Sequence, residues 1–137
     1  MLFRSKSIAI AASGLKAQAG RMRILSENIA NADSTAQNPG DDPYRRRIPT
    51  FTSALDRALD ARTVALGPVA LDPGKFTEKY QPGHPAANAQ GYVKFPNINS
   101  LVETTDMREA QRSYEANVNV IGAARRMISR TLDILKS

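Results

Sequence analysis

Side chains able to do chemistry are few and scattered. His84 is the only histidine, held in Pro82-Gly83-His84-Pro85. Cysteine is absent, so neither a disulfide frame nor a thiolate metal site can form. A transition-metal site would need carboxylates alone. Asp41 and Asp42 are the only adjacent acidic pair, and they lie in Asn38-Pro39-Gly40-Asp41-Asp42-Pro43. That is a dense turn signal without the spacing of a calcium loop. No phosphate-cradling glycine motif and no nucleophile elbow occurs. The expectation is therefore no enzyme, no cofactor and no metal, with His84 a solvent-exposed turn residue.

Arg45, Arg46 and Arg47 form the one basic run. On a strand, Arg45 and Arg47 share one face and Arg46 takes the other. Two readings stand. The run is a solvated edge strand whose charges block aggregation, or it pairs with carboxylates on a neighbouring subunit. Nucleic acid is a weaker third reading, because only Tyr44 offers an aromatic ring beside the arginines. The chain carries a net charge of +6, which raises nucleic acid and anionic membrane as partners. The charge is spread out, however. Residues 1–33 hold five basic and two acidic side chains, residues 34–97 eight and six, and residues 98–137 six and five. A basic helical nucleic-acid-binding protein is thus the alternative function, not the leading one. No apolar run approaches the roughly 20 residues of a membrane span, so the chain is not expected to insert in a membrane. The stretch Ile8-Ala9-Ile10-Ala11-Ala12 resembles a short signal peptide. Lys16, Arg21 and Arg23 follow at once, so a retained helix is expected.

The elements that would position these residues are two terminal helices and a proline-rich middle. Ile8, Ala12, Leu15, Ala19, Met22, Ser26 and Ile29 recur at steps of four and three. Met107, Ala110, Tyr114, Asn117, Ile121, Ala124, Ile128, Thr131 and Leu135 do the same. This is the 3.5-residue period of a coiled coil. The first helix is expected over about residues 4–32, ending near Asn31-Ala32-Asp33-Ser34. Gly14 and Gly20 inside it would admit a close neighbouring helix. The second is expected from Ser100, with Ser100 and Glu103 as a capping box. Its run of about 36 residues would make a rod of about 54 Å. Between them, Tyr44–Ile48, the alternating Val64, Leu66, Val69 and Leu71 around Gly67-Pro68, and Gly91–Pro96 read as short strands. Residues 53–62 read as one or two helical turns. The expected fold is mainly α. Long N- and C-terminal helices pack as a coiled-coil-like pair, with a small irregular β region between them. The divisions are 1–34, 35–97 and 98–137. The hydrophobic fraction is 42% but only 6% is aromatic, and alanine dominates the stripes. A thin core supported by neighbours is expected.

Ser26-Glu27-Asn28-Ile29-Ala30-Asn31-Ala32-Asp33-Ser34 resembles the N-terminal signature of the flagellar axial family, the rod, hook and hook-associated proteins. Arg112-Ser113-Tyr114-Glu115-Ala116-Asn117-Val118-Asn119-Val120-Ile121 resembles the matching C-terminal signature. Pro43-Tyr44-Arg45, Pro49-Thr50-Phe51, Tyr80-Gln81-Pro82-Gly83-His84-Pro85 and Gly91-Tyr92-Val93-Lys94-Phe95-Pro96-Asn97 resemble its proximal-rod members. Glu103-Thr104-Thr105-Asp106 is more polar than that resemblance leads one to expect, and residues 53–75 match nothing in it. The resemblance implies a structural subunit of the proximal rod of the basal body. It implies polymerisation through the terminal helices into a torque-transmitting shaft across the periplasm. The partners would be other rod subunits, further copies of itself, and the flagellar type III export apparatus. The expected subunit-interface residues are Leu15, Met22, Asn28, Ile29, Asn31, Tyr114, Asn117, Ile121, Ile128 and Leu135. Asn117, between Tyr114 and Ile121, either fixes register as a buried polar residue or lies at the seam's edge.

Overall fold

The computed structural model describes residues 2–136, with side chains from Ser5 onward. Helix α1 is Leu2–Ala30 and helix α2 is Ser100–Lys136. Between them run β1 (Arg47–Ile48), β2 (Phe51–Asp56), β3 (Ala61–Leu66), β4 (Ala70–Leu71), β5 (Thr77–Tyr80) and β6 (Tyr92–Phe95). The strands form three two-stranded antiparallel sheets, β1–β4, β2–β3 and β5–β6.

This corrects the expected fold class. The chain is about 48% helix and 18% strand, so it mixes helices with ordered sheet. It is not a mainly α helix pair with an irregular insert. Residues 53–62 are not helical turns but most of a β-hairpin. Their Ala, Leu and Asp content suits a helix, yet pairing of Ser53 with Val64, Ala54 with Thr63, Leu55 with Arg62 and Asp56 with Ala61 decides the conformation, a case of tertiary context outweighing propensity. The Asp56 carboxylate accepts from the Ala58 N–H at 3.0 Å and the Leu59 N–H at 3.3 Å. That side-chain turn competes with helix formation. The strands flanking Gly67-Pro68 do not pair with each other: β3 pairs with β2, and β4 with β1.

The chain divides into two compact units, and both terminal helices contribute to each. One unit takes α1 as far as Met22, Thr50–Pro68, and α2 from Arg108. Its helical residues Ala11, Ala17, Ala110 and Ala124 are buried. A Cβ added to Gly14 would lie 2.8 Å from Asn117 Nδ2, and one added to Gly20 would lie 2.8 Å from Leu66 Cδ2. The two glycines thus serve different neighbours, Gly14 the helix α2 and Gly20 the strand β3. The hairpin also docks through the Val64 N–H, which donates to Ser13 Oγ at 3.2 Å. Helix α1 is therefore shared here between a helix and a hairpin, and this too departs from a simple two-helix seam.

The other unit comprises Arg23–Pro49 and Val69–Met107. Ile24, Leu25 and Asn28 of α1 are buried, while Ser26 and Ile29 are exposed. The buried side lies one residue round from the expected Met22–Ser26–Ile29 line. Apolar residues encircle α1, so a 3.5-residue period fits more than one frame. A small core of Ala86, Val93 and Phe95, flanked by Ala36 and Ala87, supports the β5–β6 hairpin. The start of α2 is capped by Asn99, whose Oδ1 accepts from the Leu101 N–H at 3.0 Å and the Val102 N–H at 3.4 Å. The expected Ser100–Glu103 box is not formed, because the Glu103 carboxylate is engaged elsewhere.

Candidate functional site

The densest arrangement of polar groups is a clamp built by four segments of the second unit. Glu103 and Asn28 are each 0% exposed. Arg46 donates through Nε to Glu103 Oε1. Its Nη1 reaches Asp72 Oδ2 at 3.2 Å and its Nη2 lies 3.8 Å from Asp106 Oδ2. One guanidinium fork thus meets three carboxylates from two segments, a geometry that Lys cannot supply. Burial disfavours the charge on Arg46. Hydrogen bonding and attraction from Glu103, then Asp72, outweigh it and hold the guanidinium pKa above its ordinary value.

Asn28 uses its whole amide. Nδ2 donates to Glu103 Oε2 at 3.1 Å and to the Arg47 carbonyl at 2.8 Å. Oδ1 accepts from the Arg47 N–H at 3.0 Å and from the Tyr44 hydroxyl at 3.2 Å. The amide therefore pairs with both backbone groups of Arg47, as a neighbouring strand would. Burial, partly opposed by the charge of Arg47, raises the Tyr44 hydroxyl pKa. Asn97 completes the frame. Its Oδ1 accepts from the Arg46 N–H at 2.9 Å, and its Nδ2 donates to the carbonyls of Asp72 and Gly74, each at 3.1 Å. The Asp72 carboxyl is held below its ordinary pKa by the Gly74 N–H and then by Arg46. Among the described residues, no buried side-chain nitrogen or oxygen lacks a partner, so the clamp is a fully satisfied network.

The arginine run is corrected by this geometry. Its carboxylate partners lie in the same chain. Arg47 pairs with Glu27 at 3.4 Å. Arg45 donates to the carbonyls of Asp72 at 2.7 Å and Gly74 at 2.8 Å, and stacks over Phe76. His84 is half-buried, not an exposed turn residue. Its Nδ1 accepts from the Ala86 N–H at 3.0 Å, and Nε2 lies 3.1 Å from Thr35 Oγ1. Those contacts tie two loops together. Among the described residues, no group of three His, Asp or Glu side chains is placed to hold a metal. No described helix is long and apolar enough to cross a membrane.

The other expected interface residues have varied settings in the single chain. Leu15, Met22, Tyr114, Asn117, Ile121 and Ile128 are half-buried, Ile29 is exposed, and Leu135 is 77% exposed. Asn117 Nδ2 donates to the Ser113 carbonyl at 3.0 Å. Asn31 closes α1: its Nδ2 donates to the Glu27 carbonyl at 2.8 Å, and its Oδ1 accepts from Ser34 Oγ at 3.0 Å. Of the ten, only Asn28 belongs to the clamp. Reading by motif missed Glu103, Asp72, Asp106 and Asn97. The available signal was Glu103 and Asp106, two acids one helical turn apart, in a chain that also holds an arginine run.

The N-terminal residues 8–36 match the family described as flagella basal body rod protein. Residues 89–134 match the C-terminal family of flagellar basal body rod FlgEFG proteins. A flagellar basal-body rod protein FlgC of Agrobacterium fabrum is 51% identical over 128 residues, covering 93% of this chain and 92% of the relative. Those of Salmonella typhimurium and Bacillus subtilis are 36% and 34% identical, covering 91% and 95% of this chain and 92% and 97% of the relatives. The chain belongs to the family of flagellar basal-body rod proteins FlgC.

Proposed function

We propose that this chain, a structural subunit of the flagellar basal-body rod, builds the proximal part of that rod by polymerising through its terminal helices. The assembled rod would cross the periplasm and carry torque, and the chain would reach it through the flagellar type III export apparatus. The division of labour we propose gives assembly to residues 1–34 and 98–137, and spacing and bracing to residues 35–97. No catalytic role, cofactor or metal enters this reading.

One observation carries it. The C-terminal part of α2 leaves Val118, Val120, Met127, Leu132, Ile134 and Leu135 between 46% and 77% exposed. A row of exposed apolar side chains along one helix marks an interaction surface, which a repeating assembly would cover. Interdigitated helices spread shear over a large buried area. The interface set we propose is Leu15, Met22, Asn28, Ile29, Asn31, Tyr114, Asn117, Ile121, Ile128 and Leu135. Asn28 and Asn31 would act through the helix end they shape. The nucleic-acid alternative finds no support, since Arg21, Arg46, Arg47 and Lys94 are paired with carboxylates in the chain.

The test is assembly in cells. Ile121→Asp or Ile128→Asp would bury an unpaired charge at every subunit addition, at a cost of several kcal/mol each. Such cells should make the protein but lack complete rods in electron micrographs of basal bodies, and should not swim. Arg126→Asp, off the seam, should be milder. Normal rods and swimming in both isoleucine variants would refute polymerisation through α2.

A further inference from the structure

The β2–β3 hairpin has one covered edge and one open edge. In an antiparallel pair, residues alternate between exchanging hydrogen bonds across the ladder and pointing their N–H and C=O outward. The Gly67 N–H donates to the Thr50 carbonyl at 2.7 Å, which makes Thr50 and Gly67 an inward pair. In the observed register, Thr52, Ala54 and Asp56 then also face β3, while Phe51, Ser53 and Leu55 point outward. On β3 the outward residues include Val64, and its N–H does bond to Ser13 of α1. The β3 edge is thereby covered.

The β2 edge is not. Residues 51–55 are all exposed. Among the described residues, nothing pairs with the outward backbone groups of Phe51, Ser53 and Leu55. Phe51 and Leu55 are also 42% and 54% exposed. Natural edge strands are usually blunted by lysine, proline or a bulge. Residues 51–55, Phe-Thr-Ser-Ala-Leu, contain none of these and carry no charge.

The outward pattern reads the same in both directions about Ser53: a large apolar residue, a small one, a large apolar one. We infer that β2 pairs antiparallel with β2 of a second copy of this chain, centred on Ser53, joining two hairpins into a four-stranded sheet. Ser53 then faces Ser53 across the two-fold axis, and Phe51 faces Leu55 of the second copy on both sides of it. Three outward residues on each strand supply about six backbone hydrogen bonds. Two aromatic–aliphatic cross-strand pairs are added, and no like charges oppose one another. Four strands are also more stable than a lone hairpin. The contact is isologous and closes on itself. It makes a pair of free subunits and hides an aggregation-prone edge, without itself extending a rod. It does not depend on the rod reading.

The sharpest test uses the residue on the axis. Ser53→Lys places two like charges opposite each other only in this register, and so does Ser53→Glu. Because residue 53 is exposed, neither change removes a contact within the folded chain. In sedimentation velocity on the full chain, the parent should show a concentration-dependent monomer–dimer equilibrium. Each variant alone should associate about tenfold more weakly or less, a difference of about 1.4 kcal/mol, and an equal mixture of the two should recover the dimer. Facing residues about 5.5 Å apart between Cα atoms can be bridged by a disulfide. With no native cysteine, oxidised Ser53→Cys should therefore give a covalent dimer alone. Phe51→Cys should require Leu55→Cys in the mixture. A parent that stays monomeric, a Ser53→Lys chain that associates like the parent, or a mixture that fails to recover would each overturn the inference.

Discussion

Glu103 shows how much one side chain can hold. It is wholly buried, and it binds both the Arg46 guanidinium and the Asn28 amide. Glu103→Ala leaves the buried Asn28 donor without its carboxylate and removes the main partner of Arg46. Breaking a buried pair from one side costs about 3–5 kcal/mol. The loss here should fall at the lower end, about 3 kcal/mol, because Arg46 keeps Asp72 and Asp106. Urea unfolding monitored by circular dichroism measures it. Glu103→Gln, which can still accept from one of the two donors, should lose less than half as much. Asp72 makes a separate prediction about pH. Its folded-state pKa is depressed, so its contribution to stability is present above the ordinary carboxylate value. That contribution is lost as pH falls through the folded-state value. Asp72→Asn should therefore be less stable than the parent at neutral pH, and the gap in urea midpoints should close in acid. A gap that stays constant down the acid limb would contradict this assignment.

Among the elements, the helix ends and the helix contact are open to measurement. Asn99, not Ser100, caps α2. Asn99→Ala should cost about 1 kcal/mol, and Ser100→Ala clearly less, by thermal or urea unfolding. The reverse order would restore the capping box that motif reading expects. In the first unit, Gly14 lies against the Asn117 amide. Gly14→Ala gains about 1 kcal/mol of helix propensity, but its methyl group must displace an amide bonded to Ser113. The single change should be near neutral or destabilising. With Asn117→Ala already in place, the same change should raise stability by about 1 kcal/mol. A double-mutant cycle with no coupling would show that the two residues do not touch.

At the scale of the molecule, the buried apolar residues and the exposed apolar residues of α2 are separate sets. The buried apolar side chains are mostly alanine, with Ile24, Leu25, Val93 and Phe95 the larger ones. The bulk of α2's apolar surface is exposed. Leu135→Asp changes a residue that is 77% exposed, so the free chain should keep its unfolding midpoint to within about 0.5 kcal/mol. If α2 is an assembly face to its end, the same change should abolish swimming. A variant that swims normally would remove the last turn from the interface.

Several features of this protein were fixed by its residues in chain order. The two terminal helices were legible because proline-free runs of about 30 residues and longer have few alternatives to a helix. The family was legible because its signatures are local strings around Asn28 and Asn117. The strand Tyr92–Phe95 was legible because alternation and a following proline bound it. What sequence left open depends on pairs distant along the chain. Asn28, Arg46, Asp72 and Glu103 share no spacing rule, and only the folded chain converts an arginine run into the centre of a carboxylate clamp. The segment Ser53–Arg62 suits a helix locally, yet Val64 and Leu66 docking on Ser13 and Gly20 make it a hairpin. The residues that α1 buries within the chain, Ile24, Leu25 and Asn28, lie one residue round from the Met22–Ser26–Ile29 line, and alanine and glycine encircle the helix. On such a helix, hydrophobicity barely distinguishes one face from the next. The choice falls to the partners that pack against it, and those are set by tertiary structure.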